Sequence, residues 1–153
     1  MNAVPAQATH VTPSQIRWAV AAHISPLWVI ASTSMLERRP VAWAAVIAFL
    51  GPLVLALLVR DRGHFVDRAT RNALAFALSI GTYSLVASTA VAVGYVWTPA
   101  AALLEVGLLS LVILALNWLI FAALATRAAL RGEIFDYPGC LETWRRAAAW
   151  LTR

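Results

Sequence analysis

Four long apolar runs divide this chain, and short polar or turn-forming stretches separate them. The runs are Trp18–Leu36, Val41–Val59, Ala73–Val96 and Ala101–Ala125, each of 19 to 25 residues. A helix that crosses a hydrocarbon core of about 30 Å needs about 20 apolar residues. The pattern therefore predicts an all-α polytopic membrane protein with four transmembrane helices. Ahead of the first run, residues 1–15 are small and polar and read as a disordered tail, with Ser14 as a candidate cap for the helix that follows. The transmembrane domain then covers 16–138, and residues 139–153 form a last short helix. In that helix Leu141, Trp144, Ala148 and Leu151 fall on one side, with Glu142, Arg145, Arg146 and Arg153 mostly on the other. This is the pattern of an amphipathic helix lying on the bilayer surface.

Local signals refine the runs. Arg17 ahead of an apolar run, with Ala31-Ser32-Thr33 beyond it, also fits a cleaved leader, but His23, Ser25 and Pro26 interrupt that run. Pro26 and the Gly51-Pro52 pair predict bends in the first two helices, and in lipid each freed carbonyl needs a new partner. The stretch Arg60–Gly81 starts as a charged loop and becomes an apolar helix without a break. Asp67 and Arg71 stand four apart, the better order for a helix ion pair. Ala69, Ala73, Ala77 and Gly81 recur every four residues and predict a seam that another helix can approach closely.

Composition and charge sharpen the topology. Hydrophobic residues make up 61% of the chain, mean hydropathy is +0.75, and the net charge of +5 comes entirely from arginine. Those arginines flank apolar runs, which argues for lipid phosphates rather than nucleic acid as their partner. In a four-span arrangement ten arginines share the side of both termini and the central loop, and only Arg38 and Arg39 face the other. The positive-inside rule then predicts a bacterial inner-membrane protein with both termini cytoplasmic. Anionic headgroups are the predicted partner of that face, together with self or another membrane protein. Cys140, the only cysteine, has no partner for an intramolecular disulfide or a CxxC site.

Candidate chemistry is sparse. His23, Glu105 and Asn117 are polar groups inside apolar runs, where a polar side chain is costly enough to suggest a role. They line a polar path, or they are structural: His23 bonded to a carbonyl freed by a proline, Glu105 paired with Arg38 or Arg39, Asn117 bonded to a neighbouring helix. The histidines are too scattered for a metal site, and no cofactor motif is present. No nucleophile–base set, phosphate loop or carboxylate pair asks for an enzyme. Arg60, Arg62, His64, Asp67, Arg68 and Arg71, with Tyr137, Trp144, Arg145 and Arg146 near the end, are the candidates for binding a partner or lipids.

Four places in order carry a family resemblance: His23-Ile24-Ser25, Gly51-Pro52-Leu53 followed by Arg60-Asp61, Phe65-Val66-Asp67 with Arg71-Asn72-Ala73-Leu74, and Gly132-Glu133 with Tyr137-Pro138. Together they resemble small bacterial membrane proteins related to the twenty-kilodalton subunit of the chloroplast inner-envelope protein translocon. Where that family shows Asn-Phe-Gln, this chain has Ala75-Phe76-Ala77. The resemblance implies a four-helix membrane bundle and no assigned chemistry. Two functions fit these observations. One is a non-enzymatic subunit or accessory of a membrane complex, in protein transport or membrane assembly, whose seam meets a partner helix. The other is a small channel or transporter lined by His23, Glu105 and Asn117.

Overall fold

The computed structural model of the protein describes residues 11–37, 47–59, 62–97 and 101–152. Among the described residues there are five helices and no strand: α1 Pro13–Glu37, α2 Leu50–Leu58, α3 His64–Val96, α4 Ala101–Leu130 and α5 Glu142–Leu151. Two of them, α3 and α4, are long and apolar enough to cross a membrane. The first predicted span lies within α1, and the first part of the second lies outside the described residues.

Helix α1 begins earlier than Ser14. Thr12 is the cap: its hydroxyl accepts from the Gln15 amide at 3.3 Å, while Gln15 Oε1 accepts from the Thr12 amide at 2.9 Å. This reciprocal pair is a capping box, and Pro13 suits the first helical position because no donor is needed there. Further along, Pro26 cannot donate to the Ala22 carbonyl. The Ser25 hydroxyl does so instead, at 3.0 Å, and Pro26 itself is fully buried. The freed carbonyl thus finds its partner one residue before the proline.

The Gly51-Pro52 pair does not bend a continuous helix. Ala48 and Phe49 form a turn and α2 starts afresh at Leu50, so Pro52 sits in the first turn, where a missing N–H costs little. Gly51 is needed for packing: a Cβ there would lie 2.9 Å from the backbone of Ser25. The α1–α2 pair therefore meets backbone to backbone at the two proline sites.

Helix α3 packs against each of the other four helices. Its first half is the centre of the molecule, with Val66, Ala69, Ala73, Leu74, Phe76 and Ala77 buried. Helix α4 runs back beside it in antiparallel register. Phe76 meets Phe121 edge to face, while Gly94 and Gly107 let the two backbones come close at Leu104 and at Ala87–Val91. On its other side α4 exposes Leu103, Val106, Leu109, Val112, Leu116 and Ile120. A patch this large and apolar marks a surface that meets a membrane or another protein.

Candidate functional site

The feature that organises the polar groups of this protein is the segment 131–152, which folds back into the bundle. Helix α4 ends in a Schellman motif: the Gly132 amide donates to Ala129 O and the Glu133 amide to Ala128 O, with Gly132 at φ 75°. The chain then turns to run alongside α3. A stripe on α3 receives it, one residue about every turn. Asn72 Nδ2 donates to Phe135 O at 3.0 Å and to Asp136 Oδ1 at 2.8 Å. Arg68 stands 3.7 Å from the other Asp136 oxygen. Phe76 stacks on the Tyr137 ring at 4.1 Å with an interplanar angle of 11°. Tyr83 donates to Gly139 O at 3.2 Å, and Ser79 Oγ accepts from the Leu141 amide at 3.1 Å.

The Pro138-Gly139 turn, with Gly139 at φ 75°, reverses the direction. Helix α5 then leads back along α3. The Trp144 indole donates to Thr82 Oγ1 at 3.0 Å, and Ala148 is fully buried beside Leu74 and Ala75. Arg145 donates to the Tyr137 carbonyl at 3.2 Å and closes the hairpin on itself. The last helix is therefore docked on α3 through one face; it does not merely rest on a bilayer surface.

Tyr137 is the pivot. It is 3% exposed, its ring touches Phe76 and Phe135, and its hydroxyl is hydrogen-bonded to His23 Nδ1 of α1 at 2.8 Å. One side chain thus ties α1, α3 and the returning segment together. The structural reading of His23 has it bond a carbonyl freed by a proline. That carbonyl is already taken by Ser25, and the partner is a tyrosine 114 residues away.

The three intramembrane polar candidates do not share a cavity. His23 is enclosed against Tyr137. Asn117 is half-buried in a groove of about 290 Å³ between α3 and α4, beside Tyr83, Pro138 and Gly139. Glu105 is exposed near the far end of α4. The alanine seam is also not free for a partner. Ala69, Ala73, Ala77 and Gly81 are all buried inside the chain, Ala69 against Ala19 and Ala129.

The charged candidates gather at the end of the bundle where α3 begins. Arg71 and Asp67 pair at 2.9 Å. Arg62 lies over the Trp18 ring at 4.8 Å, and its carbonyl accepts from Gln15, which holds the loop against α1. His64 is exposed at the first turn of α3, and Arg60 lies outside the described residues. Arg146 pairs with Glu142 on the outer face of α5. Among the described residues no group of three or more His, Cys, Asp or Glu is placed to hold a metal ion. Chemically the arrangement is a set of donors and acceptors that satisfy one another.

Sequence reasoning passed over Asn72, Ser79, Thr82 and Tyr83. The available signal was their spacing: with Arg68 and Phe76 they make a polar and aromatic stripe at helical period on an otherwise small-residue helix.

No curated protein and no solved structure matches the chain significantly. A family match does exist, and it covers residues 14–144, from the start of α1 to Trp144 in α5. It overturns the resemblance to translocon-related proteins and gives no support to a part in protein transport. The quoted motifs mark packing contacts (Gly51 on Ser25, Tyr137 on His23 and Phe76), and such contacts report a helical bundle rather than a lineage. The match is to MamF/MmsF, described as the magnetosome magnetite crystal formation protein family, and the chain belongs to that family of membrane proteins.

Proposed function

We propose that this protein serves magnetite crystal formation as a four-span integral membrane protein that catalyses no reaction, acting as a subunit or accessory of a membrane assembly. In this reading α1 and the segment ending in α2 are the first two spans, the membrane is the bacterial inner membrane or one derived from it, and both termini are cytoplasmic. The observation that carries it is the division of the surface. Helix α4 presents Leu, Val and Ile to the outside from Leu103 to Leu124, while Arg62, Arg68, Arg127 and Arg131 lie at one end of the bundle. Such a belt with a basic rim matches a bilayer and its positive-inside orientation. Contacts with another chain then use the outer faces of α2, α4 and α5 or the basic rim, because Ala69–Gly81 is taken up internally.

The test is made in a magnetite-forming bacterium that carries this chain. Loss of the chain is expected to change crystal size or number seen by electron microscopy, and re-expression to restore it. Crystals unchanged by the loss would refute the role. Reporter fusions are expected to place both termini in the cytoplasm; a C-terminus on the opposite side would refute the four-span topology.

A further inference from the structure

The boundary between apolar and charged surface is not level around the molecule. On α2 the exposed side chains stay apolar to the last turn, with Leu57 and Leu58 56% and 68% exposed. The Arg62 amide donates to Val59 O and Leu53 packs with Leu74 and Ala75, so Leu58, five residues on, lies near the level of Thr70. On α4, Leu124 is exposed one turn beyond the Phe76–Phe121 contact, at the level of about Leu74. Helix α5 breaks this line. It starts at Ser79, where the Leu141 amide is bonded, and its outer face carries Glu142, Arg145 and Arg146, all exposed. From there α5 runs back to Ala148 beside Leu74 and Ala75, so Arg145 and Arg146 stand near the level of Phe76. That is six residues of α3 beyond Thr70, roughly 9 Å at 1.5 Å per residue, or more than half of one leaflet of a core about 30 Å thick.

Tilt does not remove all of the mismatch. Helices α2 and α5 both pack on α3, where Phe49, Leu53 and Ala148 share one buried cluster. Packed helix axes lie 8–10 Å apart, so a tilt of about 20° across these two spacings shifts levels by at most about 7 Å. The charge is also unbalanced. Arg146 pairs with Glu142, but Arg145 has no carboxylate at salt-bridge distance among the described residues; it meets the Tyr137 carbonyl and the Cys140 side chain. Trp150, 72% exposed, continues the same helix with the ring type that favours the headgroup region.

We propose that the outer face of α5 is a phospholipid headgroup site, in which Arg145 and Arg146 bind lipid phosphates and draw the headgroup plane inward, thinning one leaflet beside the protein. The anion is a lipid because the site opens sideways, between the apolar faces of α2 and α4, where acyl chains already lie. The lipids it favours are anionic, each arginine near such a surface strengthening attraction about fivefold. The proposal rests on the membrane-spanning reading of α3 and α4.

The test uses the full chain with Cys140→Ser, reconstituted in vesicles of phosphatidylcholine and phosphatidylglycerol. Nitroxide labels are placed at Thr143→Cys on α5, Leu57→Cys on α2 and Ile113→Cys on α4. Expected is oxygen-dominated relaxation at 57 and 113, and relaxation by a water-soluble nickel chelate at 143, although 143 lies deeper along α3 than 57. Phosphatidylglycerol retained on the purified protein is expected to fall about twenty-fivefold in R145Q/R146Q, two fivefold steps, and to recover in R145K/R146K. Hydrocarbon-like relaxation at 143, or unchanged retention in R145Q/R146Q, overturns the proposal alone. A 57–143 distance longer than the docked fold allows overturns it too, since α5 would have left α3. Nickel access at 113 overturns the spanning reading and the proposal with it.

Discussion

The two halves of α3 are both rich in alanine and have opposite surroundings. From Val66 to Gly81 eleven residues are buried; from Thr82 to Val96 only Ser84, Ala87 and Gly94 are. The first half is enclosed by α1, α2, α4 and the returning C-terminal segment. The second half meets α4 along one side, and Leu85, Val86, Val93 and Val96 are exposed. Alanine is frequent in both halves, so alanine content alone does not mark the core. What marks it is the stripe Arg68, Asn72, Phe76, Ser79 and Tyr83, which gives the returning segment something to bond to.

The largest expected effect tests that stripe at its centre. Tyr137→Ala removes the stack on Phe76 and leaves His23 Nδ1 buried without its partner. Loss of a buried aromatic costs about 3–5 kcal/mol. Unfolding in mixed detergent micelles, titrated with SDS, is expected to shift by that amount. Tyr137→Phe keeps the stack and loses only the hydrogen bond, about 0.6–2 kcal/mol inside a membrane protein. Equal effects of the two variants would mean that the stack contributes nothing.

Next comes a pair that contrasts the halves directly. Ala77→Leu forces a larger side chain into a site 1% exposed, which costs typically about 1–3 kcal/mol. Ala90→Leu places the same group in the open groove between α3 and α4, beside Val86 and Ile113. Ala90 is half-buried with open space beside it, so the change in stability is expected to stay below about 0.5 kcal/mol. The same titration checks both. If Ala77→Leu weakens only association with another chain, the seam faces outward after all.

How much of this was legible in the sequence follows from the range of each interaction. The long apolar runs of α3 and α4 and the Asp67–Arg71 pair were legible because helix periodicity sets them within a few residues. The need for a substitute donor near Pro26 was legible for the same reason, though the choice of Ser25 was not. The turn at Pro138-Gly139 was also visible, since its chemistry is local. Where the chain goes after that turn was not. Tyr137 meets His23 across 114 residues, and nothing within either segment specifies the other. The small-residue seam was seen but given to a partner molecule, because spacing says that a helix approaches and not whose helix it is.

Asn72→Ala tests the rim of the stripe and should cost less. Its amide holds Phe135 O and Asp136 Oδ1, and both acceptors lie near water at the charged end, so water can replace part of what is lost. About 1 kcal/mol is expected in the same titration, the usual net value of a hydrogen bond. Faster proteolysis after Arg131 should accompany it, because the returning segment is less firmly held.

The smallest effect belongs to the exposed side of α4. Ile113 is 48% exposed on α4, in the middle of the apolar belt. In water, truncating it to alanine would remove exposed apolar area; in a bilayer it exchanges contact with acyl chains for a nearly equal contact, since lipid tails are as apolar as the side chain. Ile113→Ala is therefore expected within about 0.5 kcal/mol of the parent in the unfolding titration, with unchanged oligomer size. A loss of about 2 kcal/mol or more would mean that this face packs against protein rather than lipid. The outer half of the molecule would then be a second interface, and the contrast between the halves of α3 would reduce to which chain covers each.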